Sequence, residues 1–301
     1  TNLTTIVPSV LTTAGAYAGA FNWGPVNRII NVDTEKTLLN TFGKPDSNTA
    51  SSFFAAASFL AYGNNLQVVR AANTGTLNAV STGTAVQIPN RDVFQYSYLP
   101  SGASNAYGAF VARYPGALGN SLTVSVIDAG ATSSQYSGWQ INLVNSQGTN
   151  YANVALAGYF NGQPGTTYAV QQAGGANDQI HVAVVDTGGL FTGTKGTVLE
   201  TFAFVSKAID ATTNGSSNYY REVVANNSKY IYAMDPPDYA TNSASWDQPA
   251  VNNTFTRINA GTYTNGYIRI NLTGGVSDTV TNSNLQTAYD LFANKEQTDI
   301  S

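Results

Sequence analysis

Between Gly15 and Ala71 the apolar positions recur with two periods. GAYAGAFNWG, from Gly15 to Gly24, alternates like a strand and stops at the Gly24-Pro25 breaker, and VNRIINV, from Val26 to Val32, is a second strand candidate. The period then lengthens. EKTLLNTF, from Glu35 to Phe42, reads as a helix capped by Asp33 or Thr34 and ended by Gly43. After Pro45-Asp46, either Ser47 or Thr49 is expected to cap a longer helix running to Tyr62. Its buried stripe would be Phe53, Phe54, Ala57, Leu60 and Ala61. Gly63 is the expected left-handed cap, and LQVVRA goes extended to Ala71. Arg70 sits where that strand emerges, and the simplest expectation is an edge ion pair with a carboxylate.

From about Asn73 to Gly274 short alternating runs dominate: SLTVSVID, GWQINLVN, QIHVAVVD, TVLETFAFVSK and YIRINLTG. Turn signals separate them at Asn145–Gly148, Gly162–Gly165, Thr187–Gly189 and Asn265-Gly266. This stretch is expected to be mostly β, with one helix around NYYREVVANN leading into the strand KYIYAMD, and it shows no fixed-period repeat. After Gly274-Gly275 a helical pattern returns. Thr281 or Ser283 caps NLQTAYDLFANKE, whose face is Leu285, Ala288, Tyr289, Leu291 and Phe292. Thr298–Ser301 reads as the opening of a strand, which points to a fragment. The pattern predicts an α+β, multidomain chain. Residues 1–73 plus 275–301 would form a discontinuous α/β core domain, and residues 74–274 an inserted, mostly antiparallel β-rich domain.

Composition narrows the function. The 301 residues are 43% hydrophobic, as in globular proteins, yet only 10% are charged, well below the ~25% usual for soluble domains. A neutral, hydrogen-bonding surface of Asn, Thr, Ser, Gly and Tyr suits packing against copies or exposure outside cells. A net charge of -4 argues against a nucleic-acid partner, which needs clustered Lys and Arg. Cys is absent, so there is neither a disulfide framework nor a thiolate metal site. No run approaches the ~18 apolar residues of a membrane span, and Thr1–Gly15 lacks the basic flank of a signal peptide.

The search for catalytic chemistry yields little. His181, the single histidine, alternates with valines in a strand, and a structural role is expected. Gly188 and Gly193 have phosphate-loop spacing, but Thr194-Lys195-Gly196 does not supply the Gly-Lys-Ser/Thr ending. A hairpin loop is expected there. Asp235 and Asp238 flank two prolines and read as a rigid strand exit rather than a calcium loop. No acidic pair stands out for glycoside hydrolysis. Catalytic, cofactor-binding and metal residues are therefore all expected to be none. Tyr and Trp are plentiful enough for a carbohydrate platform, so an adhesin-like binding module, and behind it a carbohydrate-active enzyme, remain alternatives.

The series AGAFNWGPVNRIINVDTEKTLLNTFGKPD…SSFFAAASFLAYGNNLQVVRA resembles the N-terminal core of contractile tail sheath proteins of myovirus-type bacteriophages. The marks are Trp23-Gly24-Pro25, the helix end Asn40–Gly43, the helix running into Tyr62-Gly63-Asn64, and the Val68–Ala71 strand. ARYPGALGNSLTVSV, from Ala112 to Val126, and the final block from Leu272 agree as well. The charge-poor style is similar to that of giant Pseudomonas phages. The resemblance implies a mechanical subunit whose partners are other copies of itself, the tail tube and the baseplate, located in the virion tail. It implies no cofactor, no nucleic acid and no membrane insertion. It also implies that a C-terminal region bearing subunit-linking arms is missing, that this fragment is monomeric, and that an outermost tip domain between Ala71 and Ala109 is reduced or absent.

Overall fold

The computed structural model describes residues 14–100, 105–145, 147–258, 263 and 265–293. The strands in chain order are β1 (Gly15–Gly19), β2 (Ile29–Val32), β3 (Leu66–Arg70), β4 (Phe110–Ala112), β5 (Leu122–Asp128), β6 (Gln140–Val144) and β7 (Asn150–Ala155). They continue with β8 (Gln179–Asp186), β9 (Thr197–Ser206), β10 (Thr212–Thr213), β11 (Ser216–Ser217), β12 (Ile231–Ala233) and β13 (Tyr267–Asn271). The helices are α1 (Glu35–Phe42), α2 (Ala50–Leu60), α3 (Arg91–Ser97), α4 (Ser133–Ser137), α5 (Tyr168–Gln172), α6 (Tyr220–Asn227), α7 (Tyr239–Asn242) and α8 (Asn282–Asp290). The fold is α+β, with strand pairs that are antiparallel apart from β1 and β3. Two compact units divide the chain: Thr1–Asn73 with Asp278–Ser301, and Thr74–Ser277.

In the first unit a mixed sheet has the order β1-β3-β2. Strand alternation sends Leu66 and Val68 to one face, where they meet Leu38, Phe42, Phe53 and Ala56 of α1 and α2. Val69 and Ala71 go to the other face, where Ala288 of α8 packs against them with Leu285, Leu291 and Phe292 around it. A helix from the far end of the chain thus covers a sheet made at its beginning. Thr281 starts α8 with a reciprocal cap, its hydroxyl accepting from Asn284 N–H. Tyr289, expected on the packed face, is half exposed. The strand opening expected at Thr298–Ser301 lies outside the described residues.

Local signals explain α1 well. Thr34 Oγ1 accepts from Thr37 N–H at 3.1 Å, and Gly43 at φ 78° donates to Leu39 O. Around α2 the structure refines one expectation and corrects two. Thr49 is the N-cap residue but makes no side-chain capping bond; Asp46 Oδ1 instead accepts from Asn48 N–H, Thr49 N–H and the Thr49 hydroxyl across the turn at 47–49 that precedes the helix. The buried stripe is centred on Phe53 and Ala56, which rotates Phe54 out to 57% exposure. Gly63 does not take a left-handed conformation. A Cβ there would stand 3.0 Å from the Phe59 ring, a tight contact that the ring would have to yield to.

The second unit is built on the antiparallel sheet β13-β5-β8-β9. β5 and β8 are buried on both faces although their sequences alternate, and the second face of β5 buries Thr123 and Ser125. Val124, Val126, Val182 and Val184 occupy one face. Ile127, Ala183 and Val185 meet Trp139, Ile141, Leu143, Leu156 and Phe160 of the β6–β7 ribbon and its flanks on the other. Trp139 Nε1 donates to Ser125 Oγ at 2.8 Å, which satisfies the one polar atom of that buried ring. A separate cluster surrounds the β4–β12 pair, where Phe94 stacks on Tyr232 with centroids 3.9 Å apart. Sequence pattern predicts one helix here, α6. The structure adds α3, α4, α5 and α7, each of four to seven residues, too short to complete an apolar stripe.

Candidate functional site

The motifs that carry the sequence resemblance meet in space. Arg70, at the end of β3, is buried, and its Nε donates to Phe21 O at 2.9 Å and its Nη1 to Gly24 O at 2.8 Å. The guanidinium fork therefore clamps the turn after β1. Trp23 N–H donates to Phe42 O, and Asn27 N–H to Arg70 O, so the Trp-Gly-Pro turn, the end of α1 and the end of β3 form one knot. Gly24 sits at φ 96°, and a Cβ there would lie 2.8 Å from Thr41 O and from the Phe42 ring. Only glycine fits.

Two further matching blocks join in the second unit. Asn120 Nδ2 donates to Gly275 O at 2.9 Å, and Gly275 N–H returns a bond to Asn120 Oδ1 at 2.8 Å. Ala117 N–H donates to Ser277 Oγ, and Gly275 lies so close to Gly116 O that a Cβ would approach within 2.6 Å. Segments far apart in sequence are thereby fixed by backbone-to-amide pairing that needs no charge.

The residues considered for chemistry have structural partners. His181 is fully buried and stacks on Phe160, 4.3 Å between centroids and 9° between planes. Phe204 N–H donates to its Nδ1 at 3.0 Å, so Nε2 carries the proton and donates to Gly162 O at 2.8 Å. Burial holds the imidazole below its ordinary value of 6.5, opposed by the Gly162 bond. Phe204 has φ 55° and stands where the β8–β9 register shifts. The imidazole supplies the ladder partner that this bulge removes.

The Gly188–Gly196 segment is the β8–β9 hairpin loop, wound around a buried carboxylate. Asp186 Oδ2 accepts from Phe191 N–H and from both the amide and the hydroxyl of Thr192, while Oδ1 accepts from Ser121 Oγ. Asp235 is buried at the end of β12, and Asp238, at φ 53°, opens α7. Sequence reading missed the ion pair between Lys207 and Asp128, which lie 2.8 Å apart with both side chains fully buried. Lys207 also donates to Thr256 O and lies 4.4 Å from the Trp246 ring centre. Burial pushes its ammonium below the usual lysine range, against the opposing pull of Asp128. Arg221 and Asp247 form a looser contact at 3.9 Å, and burial raises the Asp247 carboxyl despite Arg221. Among the described residues there is no cluster of three His, Cys, Asp or Glu able to hold a metal ion, and no helix is long and apolar enough to cross a membrane.

Two open depressions mark the second unit. One of about 300 Å³ is lined by Ser134, Gln135, Gly138, Gln140, Asn142, Asn265 and Tyr267. The other, about 670 Å³, lies along Thr254–Ile258 with Gly130, Asn177 and Thr241. Neither brings a nucleophile and a base together.

Residues 12–71 match the family described as the tail sheath protein Gp18 domain III N-terminal region. The chain is similar to tail sheath proteins of three phages. For Enterobacteria phage T4 the identity is 49% over 65 residues, 22% of this chain and 10% of the relative. For Salmonella phage ViI it is 30% over 193 residues, 64% of this chain and 25% of the relative. For Vibrio phage KVP40 it is 39% over 87 residues, 29% and 13% respectively. The matched stretches thus span a quarter or less of these relatives. Sheath tail proteins of Listeria innocua and Desulfitobacterium hafniense are similar to 96% of this chain at 13% identity, with TM-scores of 0.41 and 0.40, over 39% and 41% of their own lengths. Over the stretches matched the chain is similar to phage tail sheath proteins.

Proposed function

We propose that this chain is part of a structural subunit of a contractile phage tail sheath. Copies stack as rings in a helical sleeve around the tail tube, held in a high-energy extended form. On triggering at the baseplate they move as nearly rigid bodies, shorten the sleeve and drive the tube through the host envelope. The protein is made in the host cytoplasm and works in the virion, without catalytic groups, a nucleic-acid partner or membrane insertion. The unit formed by the two chain ends serves as a discontinuous core domain, and the unit between them as an inserted, protruding domain. The chain by itself is monomeric.

The observation that carries this reading is the family match across residues 12–71, which contain the Arg70 clamp. Composition supports it. Surfaces that exchange one packing for another cannot rest on deep ion pairs, since breaking one costs about 3–5 kcal/mol, whereas Asn, Thr and Ser exchange partners with water cheaply. A gain of a few kcal/mol per subunit in the contracted lattice suffices when summed over many copies.

Electron microscopy of the extended and contracted tails of the phage that encodes the chain tests this. Both maps should accept each unit without internal rearrangement. Density that fits neither unit along the sleeve overturns the reading. Replacing an Asn/Thr patch at a mapped intersubunit contact with Lys and Glu should trap one lattice state, and unaffected contraction would refute the exchangeable-surface idea.

A further inference from the structure

The groove of about 300 Å³ beside β6 has a chemistry that the sheath reading does not use. Strand alternation sends Ile141 and Leu143 into the core, so Gln140 and Asn142 point outward and form one wall. Register places Asn153 opposite Asn142, which extends the amide face along the ribbon, and Asn150 Nδ2 donates to Asn153 Oδ1. The opposite wall comes from the start of β13, with Asn265 and the ring of Tyr267. Gln135 closes one end, oriented by the Thr132 N–H that donates to its Oε1 at 2.8 Å.

We propose that this groove binds a neutral saccharide. The lining joins three chemical features. The carboxamides of Gln140, Asn142 and Asn265 each carry a donor and an acceptor side by side, the pattern that pairs with vicinal hydroxyls, which themselves donate and accept. Tyr267 adds an aromatic surface and a hydroxyl. Among the described residues the lining holds no charged side chain, and the chain from Ala129 to Asn177, which supplies most of it, contains no Asp, Glu, Lys, Arg or His. An anionic ligand would find no countercharge, and a phosphate or carboxylate would stay in water. The volume lies at the lower end of the roughly 300–1,000 Å³ range of small-ligand sites, room for one or two sugar rings at an open surface. Among the described residues the side chains of Gln140 and Asn142 make no hydrogen bond, so they meet a ligand without first breaking a protein contact.

The proposal stands apart from the sheath reading, and its failure would leave that reading intact. The test applies the 301-residue chain to a printed panel of neutral, sialylated and uronic-acid oligosaccharides, then titrates the hits while recording backbone amide NMR shifts. Neutral glycans should bind saturably, with shifts centred on Gln135–Val144 and Asn265–Tyr267. The double variant Gln140→Ala/Asn142→Ala should weaken binding about tenfold or more with an unchanged melting temperature, because both side chains reach solvent. No binding by any neutral member, equal binding by the double variant, or a preference for the anionic glycans would overturn it.

Discussion

Arg70 Nη1 donates to the carbonyl of Gly24 across 2.8 Å, one of several bonds that join the end of the central strand to the turn that leaves the first one. The same guanidinium holds Phe21 O, so two buried carbonyls depend on one side chain. Arg70→Met keeps most of the stem volume and removes both donors. Each unpaired buried carbonyl costs about 1–3 kcal/mol, so a loss of about 2–6 kcal/mol is expected from chemical denaturation. Arg70→Lys should recover little, because an ammonium cannot reproduce the fork. A midpoint unchanged in the Met variant would show that the turn is held by other contacts.

Lys207 and Asp128 invite a different experiment. Asp128→Ala strands a buried ammonium and should cost about 3–5 kcal/mol. Asp128→Asn with Lys207→Met removes both charges and keeps one acceptor oxygen, for either Gly130 N–H or Ile258 N–H, which the two oxygens of the native Asp128 carboxylate serve separately. That double variant should be closer to the parent than Asp128→Ala alone. Equal losses in the two would mean that packing against Trp246, not charge pairing, dominates.

His181 predicts a pH dependence. Its folded value lies below the ordinary 6.5, so the unfolded chain takes up the proton first as pH falls. Stability from this group is complete above that value and declines as pH drops below it. Melting temperature should therefore fall between about pH 7 and pH 5, well above the range in which Asp33 and Asp46, both held below 3.8 by their Thr and backbone partners (for Asp46 against the opposing effect of burial), lose their charge. His181→Gln should flatten that slope while lowering stability at neutral pH. An identical slope in the variant would assign the effect to another group.

How much of this was legible beforehand depends on how far apart the partners lie. Thr34, Gly43 and the strand β3 are read correctly because a cap or an alternation is decided within a few residues. Between Ser47 and Thr49 the structure selects Thr49 as the N-cap position, while the side-chain bonds at that end come from Asp46, which only the turn at 47–49 brings into reach. Phe54 was misassigned because the helix phase is set by the sheet under Phe53 and Ala56, not by the helix itself. The Thr132…Gln135 capping box was present as a sequence signal for α4 and could have been found. Nothing local announces the Lys207–Asp128 pair, the role of His181 at the β9 bulge, or the groove between β6 and β13. Each joins residues that only the folded sheet brings together.

The central claim is best tested by raising antibodies against the 301-residue chain and applying them, gold-labelled, to intact particles of the phage that encodes it. Regular labelling along the whole length of the contractile tail, compacted after contraction, is the predicted result. Label confined to fibres, baseplate or capsid, or absent from the tail, would contradict a sheath subunit.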